Sequence, residues 1–379
     1  MKGYAICFIL TSLLTIFANK FKNNKHLYIL FAICASLVLS FFCGYRDYTI
    51  VAPRDYKMYV APLVQQYSEM NFFTFAKTFN GLEIGFVTLS YIILKIFNDA
   101  HTLLFVFQFI CSILVFRFAY LRKNESPILI IIIYMLFWYM LSCTLIRQSI
   151  ALCLTLLGLE YMSEEKTKKG IILMIIAIMF HSTAIIVAVM YIYMRWYMKK
   201  SNSSNNKNFI MICSLILICV VAFFYKQIIY TMIFSLHILP TKMYSYISDS
   251  RFYLEEGSLK KIELSLTILA TIIGTIYTKI KKEEKIAHVY LFYLIIGLIL
   301  LLMSTKVSLL NRLSYYFLIM PFYYFYTNIN RIFKKETTNQ IVATSIVVIV
   351  FLTVWIYKYP MIQEWETFPY ISDIFTFLN

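Results

Sequence analysis

Charge is scarce in this chain: 14% of its 379 residues are Asp, Glu, Lys or Arg, while 61% are hydrophobic. A soluble domain carries about 25% charged residues, so one water-soluble core is excluded, and apolar runs of bilayer-spanning length recur along the chain. Acids are scarcer still, 19 against 35 bases, for a formal net charge of +16. That excess is not a nucleic-acid patch, because the lysines and arginines sit in short loops between apolar runs, where they act as orientation signals. CxxC spacing is missing. Cys7, Cys34, Cys43, Cys111, Cys143, Cys153, Cys213 and Cys219 lie in or at the ends of apolar runs, which favours buried inert thiols over a zinc site or a disulfide framework. No Gly-rich phosphate loop, H-E-x-x-H or G-x-S-x-G occurs, which argues against soluble-type nucleotide, metalloprotease or hydrolase chemistry. There is no internal repeat, and the only low-complexity stretch is the polar connector KKSNSSNNKN at 199–208.

What is present is a succession of apolar segments near 3–18, 27–43, 82–97, 102–121, 127–143, 146–162, 170–194, 208–234, 261–279, 287–303, 309–327 and 339–358. They predict an all-α, polytopic integral membrane protein of about 10–12 transmembrane helices, forming a single membrane domain over 1–379. Lys and Arg collect in loops 19–26, 117–123, 166–169, 195–207, 279–285 and 331–335, which are therefore expected in the cytoplasm. The longer, charge-balanced loops at 44–81 and 235–260 are expected outside. So is the tail after Lys358, with Glu364, Glu366, Asp373 and no base. The first apolar run has its lysines after it, the reverse of a secretory signal, and is expected to stay as a helix with its amino terminus outside.

Single crossings everywhere conflict with these assignments. Loops 166–169 and 195–207 are both basic, yet one apolar run lies between them, and two complete crossings there would need about 40 residues. A broken or re-entrant hairpin with FHST at its tip resolves this. The segment 82–97 is short, carries Glu83 and Lys95, and separates an external loop from an internal one with one run too many, so it is expected to be interfacial or re-entrant on the outer side. The alternative is twelve crossings with one or two charge violations.

In this topology Arg147 faces outward, where the charge bias does not place an arginine. Arg46, Arg54, His181, Lys306 and Arg312 reach the same face. Each has a plain reading. Arg147 and Arg312 would serve as snorkelling anchors, Arg46 and Arg54 would pair with the adjacent Asp47 and Asp55, His181 would bond a carbonyl, and Glu83 would complement a helix N-terminus. The functional reading is that intramembrane ionisable residues are costly and usually paired or functional. Arg147, Ala151, Leu154 and Gly158 share a helix face whose small residues would let a neighbouring helix approach. Guanidinium groups match phosphate oxygens and keep their charge, so a lipid diphosphate at the headgroup boundary is the natural ligand. Were it a leaving group, the same arginines would stabilise its developing charge.

LIRQSIALCLTLLGLEYM, followed after a basic turn by IIAIMFHSTAII, with GYRDY and GLEIGFVTLSYII upstream and NRLSYYF downstream, resembles the EpsG/Wzy family of bacterial polysaccharide polymerases over roughly 44–320. Arg147 to Gly158 also matches an R-x(10)-G pattern of Wzy-type O-antigen polymerases, although here it runs into a helix. The resemblance implies glycosyl transfer in the bacterial inner membrane without a metal, a cofactor or a nucleotide sugar. A growing glycan on undecaprenyl diphosphate would pass to the terminal sugar hydroxyl of a new lipid-linked repeat unit at the outer face. A flippase and a chain-length regulator are implied as pathway partners, and the product is an O-antigen or exopolysaccharide. By the same resemblance Arg147 and Arg312, with Arg46 or Arg54, hold diphosphates, and Gln148 follows Arg147 in the motif. His181 orients a phosphate or hydroxyl, or acts as acid or base. Asp47, Asp55 and Glu83 are the outer-side carboxylates available as ligands or as a base. Aromatics at 45–79 and 314–326 would stack on sugars or form an interface belt. An O-antigen ligase, a lipid-glycan flippase or transporter, and a sugar acyltransferase are the competing functions.

Overall fold

The structure is a computed structural model and describes residues 2–48, 53, 55–67, 70–123, 125–199, 231, 235, 260–304, 308–332, 337–363 and 368–372. Arg54, Lys306, almost all of the predicted span at 208–234 and almost all of the external loop at 235–260 lie outside the described residues. Every described element is helical. Among the described residues, six helices are long and apolar enough to cross a bilayer: Lys2–Lys20, Lys25–Gly44, Ala100–Leu121, Lys261–Ile280, Lys285–Met303 and Thr338–Met361. The first of them has a buried face more polar than its exposed one. The first buries Cys7, Thr11, Thr15 and Ala18 while exposing Ile9, Leu13 and Ile16, the arrangement expected where hydrocarbon surrounds the protein and small residues let helices pack.

The described residues group into two compact units, Met1–Ala188 with Phe333–Asn379, and Val189–Ile332. In the first, α1 (Lys2–Lys20) packs on α2 (Lys25–Gly44). A π turn Tyr56–Val60 then leads into α3 (Ala61–Gln66), and α4 (Phe72–Thr78) precedes α5 (Ile84–Phe97) and α6 (Ala100–Leu121). The expected external loop at 44–81 is thus largely folded into short helices, because Asn71 caps α4 by accepting from the Thr74 N–H at 2.9 Å and Tyr48 stacks on Tyr56 at 4.5 Å. Next come α7 (Pro127–Ile133), a second π turn Tyr134–Trp138, α8 (Tyr139–Ser142), α9 (Ile146–Ser163) and α10 (Thr167–Phe180). Helix α9 is the centre of this unit, with every residue from Ile146 to Met162 buried. It lies against α10, where a Cβ added to Gly170 would fall 2.8 Å from the Gly158 carbonyl oxygen. Gly158, the glycine of the R-x(10)-G pattern, is therefore a packing residue, and the small-residue face of α9 does admit a neighbour.

Sidedness is legible in this unit. Lys22 Nζ donates to the Lys123 carbonyl at 3.2 Å, and Arg122 pairs with Glu125 at 2.6 Å and with Glu160 at 2.9 Å. Lys169 Nζ lies 5.8 Å from the Tyr161 ring. Loops 19–26, 117–123 and 166–169 consequently share one end. At the other end, the Asp47 N–H donates to the Ile371 carbonyl at 2.8 Å, the Ser372 hydroxyl donates to Tyr45 O at 2.7 Å, and His101 Nδ1 meets Gly44 O at 2.8 Å.

The 14-residue helix α5 does not cross. It measures about 21 Å against a hydrocarbon core of about 30 Å, and its C-terminus feeds directly into the non-basic end of α6. The turn needs only two residues: Asn98 closes α5 in the left-handed region (φ 50°), and Asp99 caps α6 by accepting from Thr102 N–H at 2.6 Å.

Helix α10 ends at His181, whose extended backbone (φ −155°, ψ 115°) begins a 3-10 turn Ser182–Ile185 before α11 (Ile186–Lys199). The chain breaks at the expected tip residue. The second unit contains α12 (Lys261–Ile280), α13 (Lys285–Met303) and α14 (Ser308–Thr327), joined at one turn by Glu284, which accepts from Tyr324 at 2.6 Å and Tyr277 at 2.8 Å. Burial pushes the Glu284 carboxyl up, but these hydroxyls and Arg331 bring it below its ordinary value. Tyr315, Tyr316, Tyr323 and Tyr326 are buried. Helix α15 (Thr337–Ile356) returns to the first unit, where it packs on α7 and the second π turn.

Candidate functional site

Three elements of the first unit meet at Glu83, the residue before α5. Arg147, in the first turn of α9, donates from Nη1 to Glu83 Oε2 at 2.5 Å. His181 places Nδ1 3.0 Å from Oε1. The Ser182 N–H donates to the same oxygen at 3.1 Å, and the Ser182 hydroxyl lies 3.4 Å from it. Glu83 makes no side-chain capping hydrogen bond to its own helix. The side chains of Arg147, Glu83 and His181 are 10–15% exposed, shielded enough for their electrostatics to be strong.

Burial pushes the Glu83 carboxyl up, but the His181 hydrogen bond, the Arg147 charge and the Ser182 N–H more than reverse this and lower it to about 2. The sign of the linkage follows: the pairing is complete above the ordinary carboxyl value and is lost only as pH falls through about 2. Glu83 therefore keeps its charge throughout the neutral range. An ionised carboxylate only accepts hydrogen bonds, so His181 Nδ1 must be the donor, and in the neutral ring the lone pair resides on Nε2.

Tyr59, from the first π turn, lies over the Arg147 guanidinium with Cζ 4.0 Å from the ring centroid, and Phe86 stands 5.8 Å away. Arg147 Nε is buried with no hydrogen-bond partner among the described residues, a costly state for a charged donor. Asp55 is also buried, and its charge acts on Arg147.

What brings α5 to this point is Gly85. A Cβ there would stand 2.7 Å from the Met179 carbonyl oxygen and 2.9 Å from Met179 Cβ, so only glycine allows the first turn of α5 to lie on the last turn of α10. Gly85→Ala is expected to displace Glu83 from His181 and reduce activity about 10-fold or more, by the sensitivity of catalysis to small misplacements, with the protein still in the membrane. Quantifying product against immunoblotted membrane protein checks it, and activity within twofold of wild type would contradict it.

Arg46 is fully buried between the rings of Tyr4 (6.0 Å) and Tyr48 (5.8 Å), next to Asp47, whose backbone holds the C-terminal segment. Gln148 is buried, but as the next residue along α9 it points about 100° away from Arg147. Arg312 is half-buried on α14 of the second unit. Among the described residues, then, Arg147 and His181 converge on a carboxylate, where the sequence predicted a cluster of cations. Tyr59, Ser182 and Gly85 were missed. Ser182 follows the histidine in the FHS motif and Gly85 belongs to GLEIGF, but Tyr59 is one aromatic among many and carries no local signal.

These features define a polytopic helical membrane protein with a guanidinium, a carboxylate and an imidazole assembled at the start of its central helix. Residues 29–372 match the EpsG family, and the chain belongs to it, the family of Wzy-type polysaccharide polymerases. No curated protein and no solved structure matches the chain.

Proposed function

We propose that this chain polymerises oligosaccharide repeat units carried on undecaprenyl diphosphate, at the outer face of the bacterial cytoplasmic membrane. The observation that carries the reading is the meeting of Arg147 and His181 through one ionised carboxylate. The basic loops of the first unit share one end, and positive-inside bias assigns that end to the cytoplasm. The start of α9, with Arg147, then faces outward.

In the reaction, the anomeric C–O bond of the donor breaks and its diphosphate departs with the bonding electrons. The Arg147 guanidinium supplies donors for phosphate oxygens and stabilises the charge that develops. The acceptor sugar hydroxyl forms the new C–O bond and gives its proton to His181 Nε2, the lone pair left by the Nδ1–Glu83 bond. Tyr59 forms one wall of the site and offers its ring to a sugar face. The flippase and chain-length regulator of the same pathway would act before and beside it.

Deleting the gene in its host and running the surface glycan on a gel tests this. The expected result is a ladder that collapses to a single repeat unit, because export and ligation continue while only chain growth stops. Loss of every repeat unit would point instead to a flippase or ligase, and an unchanged ladder would exclude a role in that glycan.

A further inference from the structure

Given the polymerase reading above, we infer that Glu83 is the positioning residue of the site, holding His181 in a single tautomer and Arg147 in a single orientation without itself touching sugar or phosphate. Three observations carry this. First, its oxygens are occupied: Oε1 receives His181 Nδ1 at 3.0 Å, the Ser182 N–H at 3.1 Å and the Ser182 hydroxyl at 3.4 Å, and Oε2 receives Arg147. Two carboxylate oxygens offer about four lone-pair sites, so little acceptor capacity remains for a substrate hydroxyl. Second, its charge repels the diphosphate that Arg147 would bind, which suits a group set behind the reacting atoms. Third, its side chain bonds the start of α5 to the start of α9 and the end of α10, at a contact that only Gly85 permits. The charged and titratable groups facing this point are Arg147 from α9, His181 from the end of α10, and Tyr59 and Asp55, which act on Arg147 from the 55–66 segment.

The arrangement follows the logic of a carboxylate behind a catalytic histidine, where the carboxylate selects the tautomer and a neutral amide in its place selects the wrong one. Glu83→Gln retains size and one acceptor oxygen but adds a donor, which can turn Nδ1 of His181 into an acceptor. Glu83→Asp keeps the charge on a stem one methylene shorter.

The test uses the full-length protein in liposomes with a lipid-diphosphate-linked repeat unit as substrate, together with 15N NMR of its imidazoles at about pH 9, where ordinary histidines are neutral. His181 is assigned by the signal missing from His181→Gln. In the wild type, Nδ1 is expected to carry the proton. In Glu83→Gln that proton is expected to move to Nε2, with kcat lowered about 10²–10⁴-fold and KM changed little. Glu83→Asp should keep the wild-type tautomer and recover at least a tenth of the activity, and it stands in if the amide variant does not fold. A raised KM with unchanged kcat would overturn the proposal by making Glu83 a substrate ligand, as would a tautomer that stays on Nδ1 in Glu83→Gln. The NMR readout needs no turnover. If the wild type polymerises nothing, the functional reading fails while the tautomer result still decides the role of Glu83.

Discussion

Replacing Arg147 with alanine is expected to abolish polymer, a loss of at least about 10³-fold, the scale seen when a charge-stabilising donor is removed from a reacting centre. Two effects add. The departing diphosphate loses its guanidinium, and Glu83 loses the partner that compensates its partly buried charge. Breaking a buried pair by removing one member costs about 3–5 kcal/mol, and the residual 10–15% exposure of these side chains places this pair toward the low end. Arg147→Lys is the informative companion. It preserves the charge but not the planar fork, so it should retain most of the stability while recovering little activity. Chain length on a gel, normalised to membrane protein by immunoblot, and thermal unfolding in detergent separate the two effects. Wild-type ladders from Arg147→Ala would remove Arg147 from the mechanism. A further check is the pair Arg147→Ala with Glu83→Ala: since the two touch, the double variant should be more stable than the sum of the single losses indicates.

The second large effect is expected at His181. Its alanine variant should lose about 10²–10⁴-fold in kcat, the contribution of a positioned general base, with substrate affinity largely retained because the diphosphate is held by Arg147. The backbone consequence should be small. His181 already lies outside regular helix, in extended conformation at the end of α10, so removing its imidazole breaks no helical hydrogen bond and leaves Ser182 still bonded to Glu83. Single-turnover polymerisation of a lipid-linked repeat unit measures this. A variant with unchanged kcat and poor binding would reassign His181 from base to phosphate ligand. Because Glu83 stays ionised to about pH 2, any activity change across the neutral range must arise from a group other than Glu83.

Some expected site residues were legible because their signal is local. An arginine opening an apolar segment, and a histidine in the middle of another, are costly in a membrane wherever the segments fold, and that cost singled out Arg147 and His181. Arg46 carried the same signal, yet it is taken up by Tyr4 and Tyr48 where the two chain ends meet. Asp47, adjacent to it, contributes its backbone to the Ile371 carbonyl. The same sequence evidence thus covered Arg147, which meets Glu83, and Arg46, buried against two tyrosine rings, and local cost does not separate them.

The sequence by itself determined the class of the protein, the places where helices start and break, and the end at which the basic loops of the first unit gather. Each of these is a sum over neighbouring residues: transfer of apolar runs into hydrocarbon, caps such as Asn71 and Asp99, and the bias of Lys and Arg toward one side. Only the tertiary structure decided that Glu83 meets Arg147 and His181. Those partners are 64 and 98 residues away along the chain. Their meeting depends on α5 lying against α10 at Gly85 and α9 against α10 at Gly158 and Gly170, which is decided by the fit of helix surfaces to one another.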